Sequence, residues 1–91
     1  LPEPVHEQPI RLPDGTVLRP DFCYPELKIA IECESYRWHG GRRAWLRDIE
    51  RYALLRRAGW IVIQVTMEMI EPDPSHFLDD LRSYLVPRLF G

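Results

Sequence analysis

Apolar positions along this chain follow two rhythms. Between residues 10 and 34 they fall in short strand-like runs; between 42 and 58, and again after 73, they recur at three- and four-residue steps. Pro13-Asp14-Gly15-Thr16 is a tight turn: proline presets φ, aspartate caps the turn and glycine takes a positive φ. Its flanks, residues 10–12 and 17–19, are predicted to pair as a hairpin. The second strand is expected to run on through Pro20, an edge position, to Asp21, Phe22, Cys23 and Tyr24. Residues 1–9 hold three prolines and no pattern, and read as an extended lead-in. Residues 25–28 turn the chain into a β-branched strand, Ile29–Glu34. A loop over 35–41 ends in Gly-Gly. Residues 42–58 then read as a helix, with Trp45, Ile49, Tyr52 and Ala53 at helical spacing and Leu46 and Leu55 beside them. Trp45 and Trp60 are read as core. Gly59 is the helix C-cap, and Arg56 and Arg57 suit the negative end of the helix. Residues 60–66 form a strongly apolar, central strand. A short helical turn is expected over 67–71. A last helix opens at Asp73-Pro74, with Phe77, Leu78, Leu81, Leu85 and Leu89 along its apolar stripe. The predicted order is β-β-β-α-β-α, an α/β domain.

At 91 residues there is room for one core; a chain this short buries about 60–65% of its unfolded surface. A hydrophobic fraction of 45% with 29% charged residues excludes a disordered tail and a fibrous or repeat protein. No apolar run approaches the roughly 18 residues of a membrane span. No charged-then-apolar signal peptide opens the chain. Leu1 stands where a start methionine would, so the expectation is a fragment of a longer protein with a domain upstream. Two cysteines are too few for a disulfide scaffold, which makes a reducing, cytoplasmic home the default. The net charge of −2 argues against a simple basic nucleic-acid mat. Eleven of the twelve cations are nonetheless Arg, and seven of these (Arg37, Arg42, Arg43, Arg47, Arg51, Arg56 and Arg57) crowd one stretch. Arg is the better phosphate clamp, because its planar fork binds two oxygens at once.

The informative segment is 21–34. If the loop at 25–28 makes its two strands antiparallel, Tyr24 lies opposite Ile29, Cys23 opposite Ala30, Phe22 opposite Ile31 and Asp21 opposite Glu32. Sides alternate with period two. Asp21, Glu32 and Glu34 therefore share one face, while Phe22, Tyr24, Ile29, Ile31 and Cys33 share the other, a core face. Like charges opposed on a sheet are destabilising, and a divalent cation would offset that cost. Oxygen clusters suit Mg²⁺ or Mn²⁺, which keep positions open for substrate phosphates, and the Cys33 carbonyl could be a further ligand. The rival reading is a solvated outer face paired with nearby arginines. Cys23 and Cys33 point to opposite sides, so they read as free thiols, buried or half-buried, and no disulfide is expected. A cysteine zinc site would need more ligands at closer spacing.

Arg19-Pro20-Asp21-Phe22 followed by Ile31-Glu32-Cys33-Glu34 resembles the PD-(D/E)XK nuclease signature, a Pro-Asp on one strand and a Glu-X-Lys on the next. The continuation is more specific. His39 lies in the loop, then come Arg47-Asp48-Ile49-Glu50-Arg51, Leu55-Arg56-Arg57-Ala58-Gly59-Trp60, and a strand over 62–66. That run, about residues 10–70, is similar to small bacterial endonuclease-like domains related to very-short-patch-repair (Vsr) endonucleases. Two departures stand out. The superfamily's lysine is replaced by Glu34, although the slot is typically acidic in the Vsr-like branch. The N-terminal helix expected before the first strand is missing, which implies an incomplete domain or one completed by swapping or as a homodimer.

The resemblance implies a restriction-endonuclease-like core, a mixed sheet of about four strands flanked by helices, and a Mg²⁺-dependent endonuclease acting on DNA phosphodiesters, of a nicking or repair/defence type. Asp21 and Glu32 would hold the ion, which polarises the phosphate and lowers the pKa of a bound water. Glu34 would be a further ligand or orient that water, and His39 would move a proton near neutral pH. Asp48 and Arg51, three apart on one helical face, are read as support for the acids or as phosphate contacts; the bland account is a surface ion pair. Gln64 would reach the site from the central strand. Arg42, Arg43 and Arg47 would form a phosphate-binding rim, and Trp38 would stack on substrate. His6 and His76 are read as surface residues. The alternative is a nuclease-like module that no longer cuts and serves DNA binding or assembly within a larger regulator.

Overall fold

The turn at residues 13–16 closes as its residue types require. Gly15 sits at φ +90°. The Thr16 N–H donates to Asp14 Oδ1 at 2.9 Å, and the Gly15 N–H to the Leu12 carbonyl at 2.9 Å. The computed structural model describes residues 2–34 and 41–90. In it this turn joins β2 (Ile10–Arg11) to β3 (Val17–Leu18) in a two-stranded sheet of its own, Ile10 opposite Leu18. The second hairpin strand does not run on as the sequence suggested. It stops before Pro20, a buried residue with no N–H to give a ladder, and the chain restarts as β4 (Phe22–Tyr24) in a different sheet. The lead-in also departs from expectation. It contains β1 (Val5–His6), which pairs antiparallel with β4 and sets the His6 ring edge-on to Phe22 at 4.5 Å between centroids.

Residues Pro25–Leu27 form a 3-10 turn that Lys28 ends in the left-handed conformation, φ 55°. The turn feeds β5 (Ile29–Glu34). Its register against β4 is the expected one: Tyr24 opposite Ile29, Cys23 opposite Ala30, Phe22 opposite Ile31. Helix α1 (Gly41–Arg57) follows and closes with a Schellman cap. The Trp60 N–H reaches the Leu55 carbonyl at 3.0 Å and the Gly59 N–H the Arg56 carbonyl at 3.0 Å. Gly59 sits at φ +90°, where a side chain would be strained. The cap throws the chain into β6 (Ile61–Thr66), parallel to β5 along its whole length, but at the edge of the sheet rather than its centre, its apolar residues reflecting the clusters that cover both its faces. The short α2 (Met67–Ile70) and α3 (Ser75–Phe90) complete the chain. Asp73 starts α3 by accepting the Ser75 N–H at 3.0 Å.

The result is an α/β fold: a mixed four-stranded sheet in the order β1-β4-β5-β6, with helices on both faces. One face packs Tyr24, Ile29, Ile31 and Val65 against Leu81 and Leu85 of α3. The other packs Ala30 and the hairpin residues Ile10 and Leu12 against Leu55 of α1. Three expected core positions fall elsewhere. Trp45 is 50% exposed, because residues near the start of α1 reach past the end of the sheet. Leu89 is exposed, because the apolar stripe of α3 stops meeting the sheet at Leu85. Cys33 is exposed near the open end of β5, whereas Cys23 is buried; both are free thiols. Trp60 packs as expected, half-buried against the α1 cluster.

Leu55 has no exposure and anchors α1 to the sheet. Leu55→Ala should therefore cost about 2–5 kcal/mol. Phe90→Ala, at a site 84% exposed, should stay within about 0.5 kcal/mol of wild type. Urea denaturation of the two variants measures both, and a Leu55→Ala loss below 1 kcal/mol would contradict this packing.

Candidate functional site

The acids converge where the parity of the strands puts them. Asp21 directly precedes β4, and its carboxylate Oδ2 accepts the Cys33 N–H at 2.8 Å, so a side chain continues the pairing where the ladder of β4 ends. Glu32 points from β5 toward α1 and is 1% exposed. Its Oε2 accepts a hydrogen bond from Arg51 Nη2 of α1 at 2.9 Å. The same Arg51 nitrogen lies 3.9 Å from Asp48. Glu34, two residues further along β5, accepts a hydrogen bond from the Tyr52 hydroxyl and another from Gln64 Nε2 at 3.2 Å. Gln64 is carried by β6 directly opposite Glu32 in the parallel register. The structure thus brings together Asp21, Glu32, Glu34, Asp48, Arg51 and Gln64. Arg42, Arg43 and Arg47 are exposed on α1. Trp38 and His39 lie outside the described residues.

Tyr52 was visible in the sequence only as a member of an apolar stripe. The signal was its hydroxyl, placed one turn after Asp48 and next to Arg51. Its ring lies 5.5 Å from the Arg51 guanidinium carbon. Burial, then the bond to Glu34, pushes its pKa well up, so the phenol stays protonated and donates.

The ion pair at the centre is incomplete. Among the described residues, Glu32 Oε1 and Arg51 Nε are both buried and have no partner. A buried polar atom left unpaired costs about 1–3 kcal/mol, and in native proteins such an atom is answered by an ordered water or ion, or is kept for strain or function. Burial raises the Glu32 pKa to about 7. Arg51 pulls it down, while the negative charges of Asp21, Asp48 and Glu34 push it up. A carboxyl shifted by burial and by a specific charge partner is a functional-site candidate, though structural ion-pair networks shift carboxyls in the same way.

The donor set suits a hard cation in kind but not as a cage. Among the described residues no group of three His, Cys, Asp or Glu side chains is arranged to hold a metal ion. Mg²⁺ commonly takes only one or two carboxylates and fills the rest of its shell with water and substrate phosphates. The pair Asp21 and Glu32, with the idle Glu32 oxygen, fits that lighter demand. An apolar cleft of about 360 Å³ lies on the opposite face, lined by Phe22, Ile31, Val65, Phe77 and Leu81 among others. A small-molecule pocket combines apolar walls with converging polar groups. Here the two are on opposite sides of the sheet. Among the described residues no helix is long and apolar enough to cross a membrane.

Two curated relatives from Mycobacterium tuberculosis match this chain: uncharacterized protein MT2308 of strain CDC 1551 / Oshkosh and uncharacterized protein Rv2248 of strain ATCC 25618 / H37Rv. Each is 32% identical over 85 residues, covering 93% of this chain. The chain spans 31% of the length of these relatives. No family model matches, and no solved structure matches.

Folded Glu32 keeps its proton up to about pH 7, whereas the ordinary carboxyl value is 4.5. The folded state therefore binds more protons between those values, and stability falls as pH rises from about 4.5 to 7, then levels. The difference between wild type and Glu32→Gln, followed by urea denaturation, should move in the variant's favour by up to about 3 kcal/mol across that window. A difference independent of pH would refute the raised carboxyl.

Proposed function

We propose that this domain is a metal-dependent endonuclease that hydrolyses DNA phosphodiester bonds, with Mg²⁺ or Mn²⁺ as cofactor and a restriction-endonuclease-like core. The observation that carries the reading is the buried Oε1 of Glu32, without a partner among the described residues, one position before the Cys33 N–H that Asp21 binds. Asp21 and Glu32 would hold the ion, with the Cys33 carbonyl between Glu32 and Glu34 as a further oxygen. When bound, the ion supplies charge to the scissile phosphate and acidifies a water. The chain's own residues do the rest. Arg51 grips the other Glu32 oxygen and fixes the direction of the carboxylate. Tyr52 and Gln64 hold Glu34 in place beside it, to orient the attacking water. His39, which follows β5 in sequence, moves the proton. Arg42, Arg43 and Arg47 offer guanidinium forks to the DNA backbone. The site lies toward the carboxyl ends of the parallel pair β5–β6, the end of an α/β sheet where ligands usually bind. Cytoplasmic DNA is the substrate of this reading.

One observation favours a second reading, a nuclease-like module that binds DNA or assembles a regulator without cutting. Glu32 and Glu34 are both engaged by protein donors in the arrangement described.

Titration calorimetry of Mn²⁺ into wild type, Asp21→Ala and Glu32→Gln separates the two, read beside nicking of supercoiled plasmid. We expect binding by wild type that strengthens as pH rises through 7, because the Glu32 proton must leave. Asp21→Ala should weaken it at least tenfold and, like chelation by EDTA, abolish nicking. A folded wild type that binds plasmid but neither takes up Mn²⁺ nor nicks it would establish the second reading instead.

A further inference from the structure

The two edges of the four-stranded sheet are unlike. One is β1, two residues long and set between Pro4 and Pro9. Short strands and nearby prolines are how native proteins blunt an edge. The other is β6, whose six residues, Ile-Val-Ile-Gln-Val-Thr, include no charge, proline or glycine. Among the described residues no strand pairs with its outer side. The Ile61 N–H bonds inward, to the Lys28 carbonyl at 2.8 Å. Peptide groups along a strand turn to alternate sides, so Ile61, Ile63 and Val65 direct theirs to β5, while Val62, Gln64 and Thr66 direct theirs outward. A row of outward N–H and C=O groups is a template whose complement is another strand. Ile61 and Ile63 are only half-buried, whereas their neighbours Ile29 and Ile31 on β5 are buried.

Helix α1 extends this open side. Leu54 and Ala58 pack in the cluster that holds the hairpin residues Ile10 and Leu12, so that flank of the helix faces the hairpin, which leads into β4. Trp45, Ile49, Ala53 and Arg56 recur at steps of four, four and three, and form a stripe on the opposite flank. In a right-handed β5–α1–β6 crossover this stripe overhangs β6. Trp45 is 50% exposed and Ile49 43%, and Arg56 is exposed.

A second copy of this chain fits both layers. Antiparallel pairing of two β6 strands about a two-fold axis at Gln64 sets Val62 opposite the partner's Thr66 and Ile63 opposite the partner's Val65. The outward peptide groups then meet in hydrogen-bonded pairs. These cross-strand pairs are β-branched, and no like charges are opposed. Gln64 is level with Glu32, and Arg51 contacts Glu32, so the same axis crosses α1 near Arg51. Ile49 then faces the partner's Ala53, a large residue against a small one. Trp45 lies beside the partner's Arg56, so each exposed guanidinium meets an indole rather than its own kind. We infer that the outer edge of β6 and the overhanging flank of α1 form a homodimer interface that continues the sheet through β6 of both copies. The two acid clusters would then share one face of an eight-stranded sheet, with the Glu32 positions three strand spacings apart, about 14 Å. The inference does not rest on the nuclease reading.

Two measurements on the same samples test it. Sedimentation velocity over a wide concentration range gives the mass, and amide hydrogen exchange followed by NMR reports on the edge. Wild type should form a dimer in which the N–H groups of Val62, Gln64 and Thr66 exchange slowly. Ile49→Lys, which sets a cation on the seam, should weaken the dimer at least about tenfold and speed exchange at those three amides. A monomer at every concentration overturns the inference: slow edge amides would then mean that the chain's own remaining length covers β6, and fast ones that the edge stays open. A dimer whose three edge amides exchange fast, or whose affinity Ile49→Lys leaves unchanged, joins by another face and overturns it too. Should Ile49→Lys lose its cooperative unfolding, the mass and edge exchange of wild type decide alone.

Discussion

A carboxylate with almost no exposure, near the open end of a parallel strand pair, constrains everything around it. Glu32 is answered by a charge from outside the sheet, which α1 supplies through Arg51. That contact fixes how the helix is turned on the sheet. With Arg51 over Glu32, Tyr52 falls on Glu34 and Leu55 falls in the apolar cluster with Ala30. The pair is a poor way to gain stability. Buried ion pairs are often no better than apolar residues of the same shape, and removal of one partner costs several kcal/mol. Here each member also keeps a buried atom without a partner among the described residues. A position that is expensive to maintain and incompletely satisfied is easier to explain by what it does than by what it holds together.

Much of the fold was legible because it follows from local rules. The 25–28 turn set the β4–β5 register, and period-two alternation then assigned every side chain to its face. Gly59 marked the helix end, since the Schellman cap needs a left-handed residue there. What escaped the sequence depends on neighbours. Strand β1 carries no alternation and sits among prolines; it is a strand because the edge of β4 is there to receive it. Pro20 fits an edge strand in isolation, yet it separates two sheets. The helical spacing of Trp45 says that a helix forms, but not how far the sheet extends beneath it.

The candidate site was legible to the same depth. Asp21, Glu32 and Glu34 were brought together by parity, and their contacts converge on one region; Gln64 entered only through the family resemblance, and it sits opposite Glu32 and bonds Glu34. Arg51 was marked as a supporting residue, but its partner was not. Spacing alone gave Asp48, at 3.9 Å, whereas the closer contact is the buried Glu32 at 2.9 Å. Tyr52 was hidden because periodicity counts a tyrosine as apolar and takes no account of its hydroxyl. Side-chain partners across elements are a tertiary property, and neither spacing nor composition records them.

The charge at position 34 now has a structural counterpart. The lysine of the PD-(D/E)XK signature would bring a positive charge to the carboxylates from the strand itself. In the nuclease reading Glu34 stands in that slot, and the cation beside Glu32 comes from the helix, through Arg51. The two are not equivalent. A lysine desolvated in such a place can lose its proton and take part in acid–base steps, whereas a guanidinium stays charged. Arg51 can orient a carboxylate and stabilise negative charge, but it cannot accept a proton. In the nuclease reading, the proton of the attacking water must therefore pass to another group, and the acid–base chemistry falls to His39 or to the carboxylates themselves. Of these, Glu32 has its pKa brought to about 7 by burial, where a small change in its surroundings decides whether it is charged. Among the described residues Arg51 is the cation that contacts Glu32, so in this reading the helix that stands in for the lysine's charge also opposes the upward push of burial on the acid it faces.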